Sequence, residues 1–165
     1  MIEFVSIPKE RIGILKANKN YVEKLEKLSE IKIGLNDEVS IDCDDPLKIL
    51  RVKEVIRAFG RGFDFEDSLN LLDESYYLET IEIKEFSGKS RNRMITLRGR
   101  IIGERGKTKE SIEKYSDVKI SIYGKTIGII GEWSAIIIAK KAIEMLLLGS
   151  LHSTVYRYLE RNRVK

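Results

Sequence analysis

Apolar positions along this chain first alternate, then recur at helical spacing, then alternate again, and the whole cycle occurs twice. Ile2–Ile7 alternates like a strand, and Arg11–Leu15 reads as a short helical piece. Tyr21–Ser29 carries Val22, Leu25 and Leu28 on one helical face, which predicts a second helix. Lys32–Leu35 and Val39–Asp42 read as two strands joined around Asn36-Asp37, residue types that favour tight turns. Pro46 fixes the φ that a first helical turn requires. It opens a helix bearing Ile49, Val52, Val55, Ile56 and Phe59, which Gly60-Arg61-Gly62 stops.

The second half returns to the same order. Tyr77–Ile83 is strand-like, Arg93–Ile102 reads as a short helix, and a further helix follows a glycine turn from Lys107 to Tyr115. Val118–Ile122 and Ile127–Ile130 are strands around Tyr123-Gly124, and a long helix from Ser134 to Leu148 ends at Gly149. Anchor positions match at a separation of 87 residues: Leu25 with Ile112, Ile31 with Val118, Ile33 with Ile120, Val52 with Ala139, Ile56 with Ile143, Gly62 with Gly149. A self-similarity of that length predicts two copies of one small α/β unit. A last helix, Ser150 to Arg161, lies outside the repeat and leads to a basic end with Arg157, Arg161, Arg163 and Lys165.

The order strand–helix–turn–helix–strand–strand–helix is that of the eukaryote-type KH fold, which grips about four nucleotides with a GXXG loop between its first two helices. The expected fold class is therefore α+β: two tandem eukaryote-type KH domains over residues 1–75 and 76–165, each a three-stranded antiparallel sheet backed by three helices, plus a C-terminal helix. In the second half, Arg100-Ile101-Ile102-Gly103-Glu104-Arg105-Gly106-Lys107-Thr108 is followed by Tyr123-Gly124-Lys125-Thr126 and by the tail His152-Ser153-Thr154-Val155-Tyr156. With Gly60-Arg61-Gly62-Phe63, these segments resemble the archaeal KH-domain ribosomal RNA-processing family. That family is similar to the eukaryotic small-subunit assembly factor that partners the site-D endonuclease. The resemblance covers essentially the whole chain. It implies binding near the 3′ end of small-subunit (16S) ribosomal RNA, and contact with the site-D endonuclease and with the alpha subunit of initiation factor two.

Composition narrows the class. Apolar residues make up 42% and charged residues 34% of the chain, ordinary for a globular protein. The apolar run Ala135–Ala139 stops at Lys140-Lys141, far short of the roughly 20 residues of a membrane span. Met1 leads straight into a strand-like segment without a secretory pattern, so a cytoplasmic protein without membrane contact is expected. The single Cys43 and single His152 supply neither a zinc site nor a thiol–imidazole pair, so no cofactor and no catalysis are expected.

Charge is unevenly spread. Between Lys89 and Lys109 eight basic residues face one acid, Glu104, whereas Asp64 to Glu85 carries eight acids against Lys84 alone. A local basic stripe suits a polyanion such as single-stranded RNA. Within it, Gly103-Glu104-Arg105-Gly106 falls between two expected helices and has charged central residues. By contrast, Gly128-Ile129-Ile130-Gly131 is apolar, lies in a strand and reads as close packing. A phosphodiester backbone approaching the loop closely would be obstructed by a Cβ at either glycine, and the helix starting near Lys107 offers free N–H groups to an anion. Arg98, Arg100, Lys107 and Lys109 add charge, and Ile102 and Ile120 an apolar floor for bases, giving the RNA-binding set Arg98, Arg100, Ile102, Gly103, Glu104, Arg105, Gly106, Lys107 and Lys109.

The first copy has Lys16-Ala17-Asn18-Lys19 or Ala17-Asn18-Lys19-Asn20 at that place, with no glycine; either it holds RNA poorly by charge alone or, the favoured expectation, its surface serves a protein partner. Two rival readings attach to other residues or surfaces. Asp42-Cys43-Asp44-Asp45 suggests a metal-dependent ribonuclease, although Asp44 or Asp45 more simply caps the helix opened by Pro46. The other rival is an adaptor without RNA affinity. Gly88-Lys89-Ser90 is no phosphate loop, because Ile83 stands where its first glycine is required.

Overall fold

Strands β1 (Ile2–Val5), β2 (Lys32–Leu35) and β3 (Val39–Asp42) form a sheet of order β1-β3-β2, with both edge strands antiparallel to β3. This is a computed structural model describing residues 1–163; Lys165 of the basic end lies outside the described residues. Val39 and Ile41 alternate inward from β3 and are fully buried, which is why the central strand is the apolar one. Helices α1 (Lys9–Ala17), α2 (Lys19–Ser29) and α3 (Pro46–Gly60) contribute Leu15, Leu25, Val52 and Ile56 to the buried set. Asp45 caps α3 by accepting the N–H of Leu47 at 3.0 Å, with Pro46 at the first helical position. Then follow α4 (Phe65–Leu69) and a 3₁₀ turn, Asn70–Leu72, neither of which the pattern of the chain announced.

In the second half, β4 (Tyr76–Glu82), β5 (Lys119–Tyr123) and β6 (Thr126–Glu132) form a sheet of order β4-β6-β5. Helices α5 (Lys84–Ser87), α6 (Arg91–Ile102), α7 (Lys107–Ser116), α8 (Trp133–Leu147) and α9 (His152–Arg161) complete it. Central β6 is buried from Thr126 to Gly131, and a Cβ on Gly131 would meet Val118 Cγ1 at 2.9 Å, so that glycine is a packing residue. Ile83, Ile101, Ile112, Ile127, Ile129 and Ile143 are fully buried and form the centre of this core. The chain divides into two compact units, Met1–Tyr76 and Tyr77–Lys165. Among the described residues no helix is long and apolar enough to cross a membrane.

The expectation of two tandem KH domains, each backed by three helices, needs correction. Unit one carries α4 and the 3₁₀ turn beyond the three expected helices, because Phe65, Ser68 and Leu71 need a segment that buries them. Unit two carries α5 beyond its three helices and the expected C-terminal helix α9. More decisively, α1 and α2 are separated by Asn18 alone, and no residue from Lys16 to Asn20 has positive φ. A single-residue corner has no room for the four-residue loop that defines the nucleic-acid grip.

Candidate nucleic-acid interface

Ser90 starts α6 by accepting the N–H of Arg93 at 3.1 Å, and Leu97 and Ile101 bury one face of that helix. Gly103 ends it. At φ 75°, ψ 177° this residue occupies a region that glycine almost alone can adopt. A Cβ there would lie 2.1 Å from Thr108 Oγ1 and 2.8 Å from the Thr108 backbone nitrogen, so the loop folds back tightly on the start of α7. Gly106, at φ 75° and ψ 9°, caps α7 and differs: a Cβ would meet nothing within 4 Å. Arg105 between them is also left-handed, at φ 55°. One glycine is therefore required by packing inside the protein. The other keeps an open approach from outside.

No side chain caps the N-terminus of α7, so its first N–H groups and the positive end of its dipole face the loop. The structure brings Gly103, Glu104, Arg105, Gly106 and Lys107 together, with Glu104, Arg105 and Lys107 all exposed. Neither Arg105 nor Lys107 makes a salt bridge among the described residues. Ile102 is half-buried beside them, whereas Ile120 is 4% exposed within the core and forms no floor for a base.

Three of the expected cations are differently placed. Arg98 is half-buried, with its Nε enclosed and without a hydrogen-bond partner among the described residues. Lys109 lies 3.5 Å from the Glu113 carboxylate, which partly neutralises it. Arg100 donates through Nε to the Leu146 carbonyl at 3.0 Å and through a terminal nitrogen to the Ser150 carbonyl, so its head group ties α6 to the end of α8. In unit one Arg11 does the same, donating at 2.8 Å to the carbonyls of Phe59 and Phe63, each 87 residues before Arg100's acceptors. Burial lowers the pKa of Arg11, with Glu10 and Asp64 opposing that shift.

Residues not expected at the site come from α9. The His152 Nε2 lies 3.1 Å from the Arg100 carbonyl, to which it donates, and the Tyr156 and Thr108 hydroxyls lie 3.1 Å apart. With Thr96, Gly99, Gly103 and Lys107 they line a groove of about 510 Å³ beside the loop. Their four-residue spacing placed His152 and Tyr156 on one helical face. Nothing in the sequence set that face against α6. Elsewhere, Tyr77 and Trp133 pair edge to face at 5.8 Å while both remain about half exposed, at 46% and 52%. Among the described residues no three His, Cys, Asp or Glu side chains converge as metal ligands.

Residues 77–164 match the family model described as a eukaryotic-type KH domain (KH domain type I), of the PNO1 kind. The match leaves unit one outside, which completes the correction above: α+β, two three-stranded sheets and a single recognised KH domain. A KH domain-containing protein of Methanocaldococcus jannaschii is 38% identical over 99% of this chain, which spans 75% of that protein. The pre-rRNA-processing protein pno1 of Schizosaccharomyces pombe is 36% identical over 70% of this chain, which spans only 48% of that protein's length. A chain in the crystal structure of the a/eIF2alpha–aDim2p–rRNA complex from Pyrococcus horikoshii superposes with a TM-score of 0.86 at 40% identity, covering 98% of this chain and 93% of that one.

Proposed function

This chain belongs to the family of KH-domain proteins related to the pre-rRNA-processing protein PNO1, and on that premise we propose that it binds single-stranded RNA through the Gly103–Gly106 loop during ribosomal RNA processing. One observation carries the reading. The loop holds Gly103, Arg105 and Gly106 all at positive φ, and it leaves Gly106 open to solvent beside Arg105 and Lys107 at an uncapped helix N-terminus. Backbone N–H groups, a dipole end and two mobile cations then meet one phosphate path. The protein acts by holding RNA, not by cutting it.

The RNA is assigned to the 3′ region of the small-subunit 16S species. The complex of the Pyrococcus relative with ribosomal RNA supports a ribosomal RNA ligand, as does the pre-rRNA-processing role named for the Schizosaccharomyces relative. The alpha subunit of initiation factor two, present in that same complex, is assigned as a protein partner, and the site-D endonuclease as another. Unit one, which lacks the glycine loop and exposes Phe4 and Leu47, is assigned to protein contacts. Fluorescence anisotropy with a labelled oligoribonucleotide of the 16S 3′ end, beside a shuffled one, tests the RNA assignment; equal affinity for both would remove the 3′-end assignment. Incubating the same labelled RNA with magnesium or manganese tests the absence of cleavage.

A further inference from the structure

We propose that the cleft between α8 and α9 is a second contact for the phosphate backbone of the same RNA strand, a proposal that rests on the loop reading above. The helix α9 buries Val155 and Leu159 and shows two different flanks. His152 and Tyr156 face the groove beside the glycine loop, whereas Thr154, Arg157 and Arg161 face a separate cleft of about 330 Å³ shared with Lys141 and Met145 of α8. A strand held at the loop therefore reaches the cleft by crossing one helix.

Charge gives this cleft its chemistry. Arg157, Arg161 and Lys141 line it, and no acid does. Among the described residues none of these three cations makes a salt bridge, although Lys140, next in the chain, pairs with Glu79 at 3.8 Å. Lys141 instead lies 5.2 Å above the Tyr158 ring, a contact that holds the ammonium in the cleft without neutralising its charge. Burial raises the Tyr158 pKa, so the phenol brings no negative charge at neutral pH. Arg157 and Arg161 are one turn apart, about 6 Å along the helix axis, a step suited to successive phosphates. An acidic protein is the less suited occupant. The three cations stay solvated and line an open cleft, whereas the anchors of a protein interface sit in fully desolvated pockets.

The test uses the full chain and two oligoribonucleotides, one of about four nucleotides that fills a single KH groove and one several times longer. Arg157→Gln with Arg161→Gln and Lys141→Gln should weaken the long RNA and make its log–log salt dependence shallower by about 2, at about 0.7 for each phosphate no longer neutralised. Affinity for the short RNA should not change. An unchanged long-RNA affinity and slope overturns the proposal, as does an equal loss for both lengths, which would mean that the substitutions act through the loop. Gly106→Asp distinguishes the two readings, since it should weaken both RNAs. If Gly106→Asp is silent while the triple variant loses the long RNA, the loop assignment fails, and the cleft binds RNA by itself and not as a second contact. No binding of either RNA by the wild type overturns both.

Discussion

The carboxylate of Glu113 accepts the backbone N–H of Ile120 at 3.0 Å, joining α7 to the edge strand β5. In unit one Glu26 accepts the N–H of Ile33 at the same distance, again 87 residues earlier. Both helices then end in a left-handed non-glycine residue, Glu30 at φ 55° and Asp117 at φ 59°. The repeat thus extends to single hydrogen bonds. Glu113→Ala would leave the Ile120 N–H beside a buried side chain without its acceptor, at a cost of about 1–3 kcal/mol. Urea denaturation should show that loss for Glu113→Ala, and a comparable one for Glu26→Ala.

Arg100 belongs to the fold before it belongs to any ligand. Its guanidinium serves the Leu146 and Ser150 carbonyls at the end of α8, where helix carbonyls lack partners of their own. Arg100→Ala should therefore cost about 2–3 kcal/mol of stability. Arg105→Ala, at an exposed position, should stay within about 0.5 kcal/mol of wild type. Thermal melts of the two variants side by side decide it; equal melting temperatures would mean that the Arg100 clamp contributes nothing.

The two loop glycines should separate when each is changed to Asp. At Gly103 a Cβ collides with Thr108 at 2.1 Å in a glycine-only conformation, so Gly103→Asp should lose about 2–3 kcal/mol and melt early. At Gly106 there is open space and a left-handed conformation that Asp tolerates, so the fold should lose only about 1 kcal/mol. Gly106→Asp nevertheless places a carboxylate at the uncapped start of α7, where the dipole favours an anion, and RNA affinity should collapse. Anisotropy beside a melt of the same sample reads both quantities. Retained RNA binding by folded Gly106→Asp would move the site elsewhere.

RNA binding should weaken steeply with salt. Each phosphate neutralised on a single strand contributes about −0.7 to the log–log slope, so the two available cations at the loop, Arg105 and Lys107, give about −1.4. A titration in potassium chloride measures it, and a flat profile would rule out the basic surface as the contact.

The units should be unequal. Lys16 and Lys19 are exposed at a corner without glycine, so changing both to Ala should lower RNA affinity far less than changing Arg105 and Lys107 to Ala. Equal losses in a filter-binding assay would make unit one a working RNA site.

The chain's own pattern determined a good part of this. Lys32–Leu35 and Val39–Asp42 are strands at the residues that alternation marks, because a half-buried strand writes its period directly into the sequence. Pro46 and Asp45 fixed the start of α3, since a cap is a contact between near neighbours. The Gly103–Gly106 loop, its place between two helices and its basic surroundings were equally readable, for the same local reason. Only the tertiary structure decided which cations around that loop are available. Arg98 and Arg100 read like Arg105 in one dimension, yet half-burial and the carbonyls of Leu146 and Ser150 take them inward. The division of labour between Gly103 and Gly106 likewise depends on where Thr108 comes to lie. The α9 wall of the groove and the single-residue corner at Asn18 were hidden too. A packing partner far along the chain, or a missing residue in a turn, leaves no period to read.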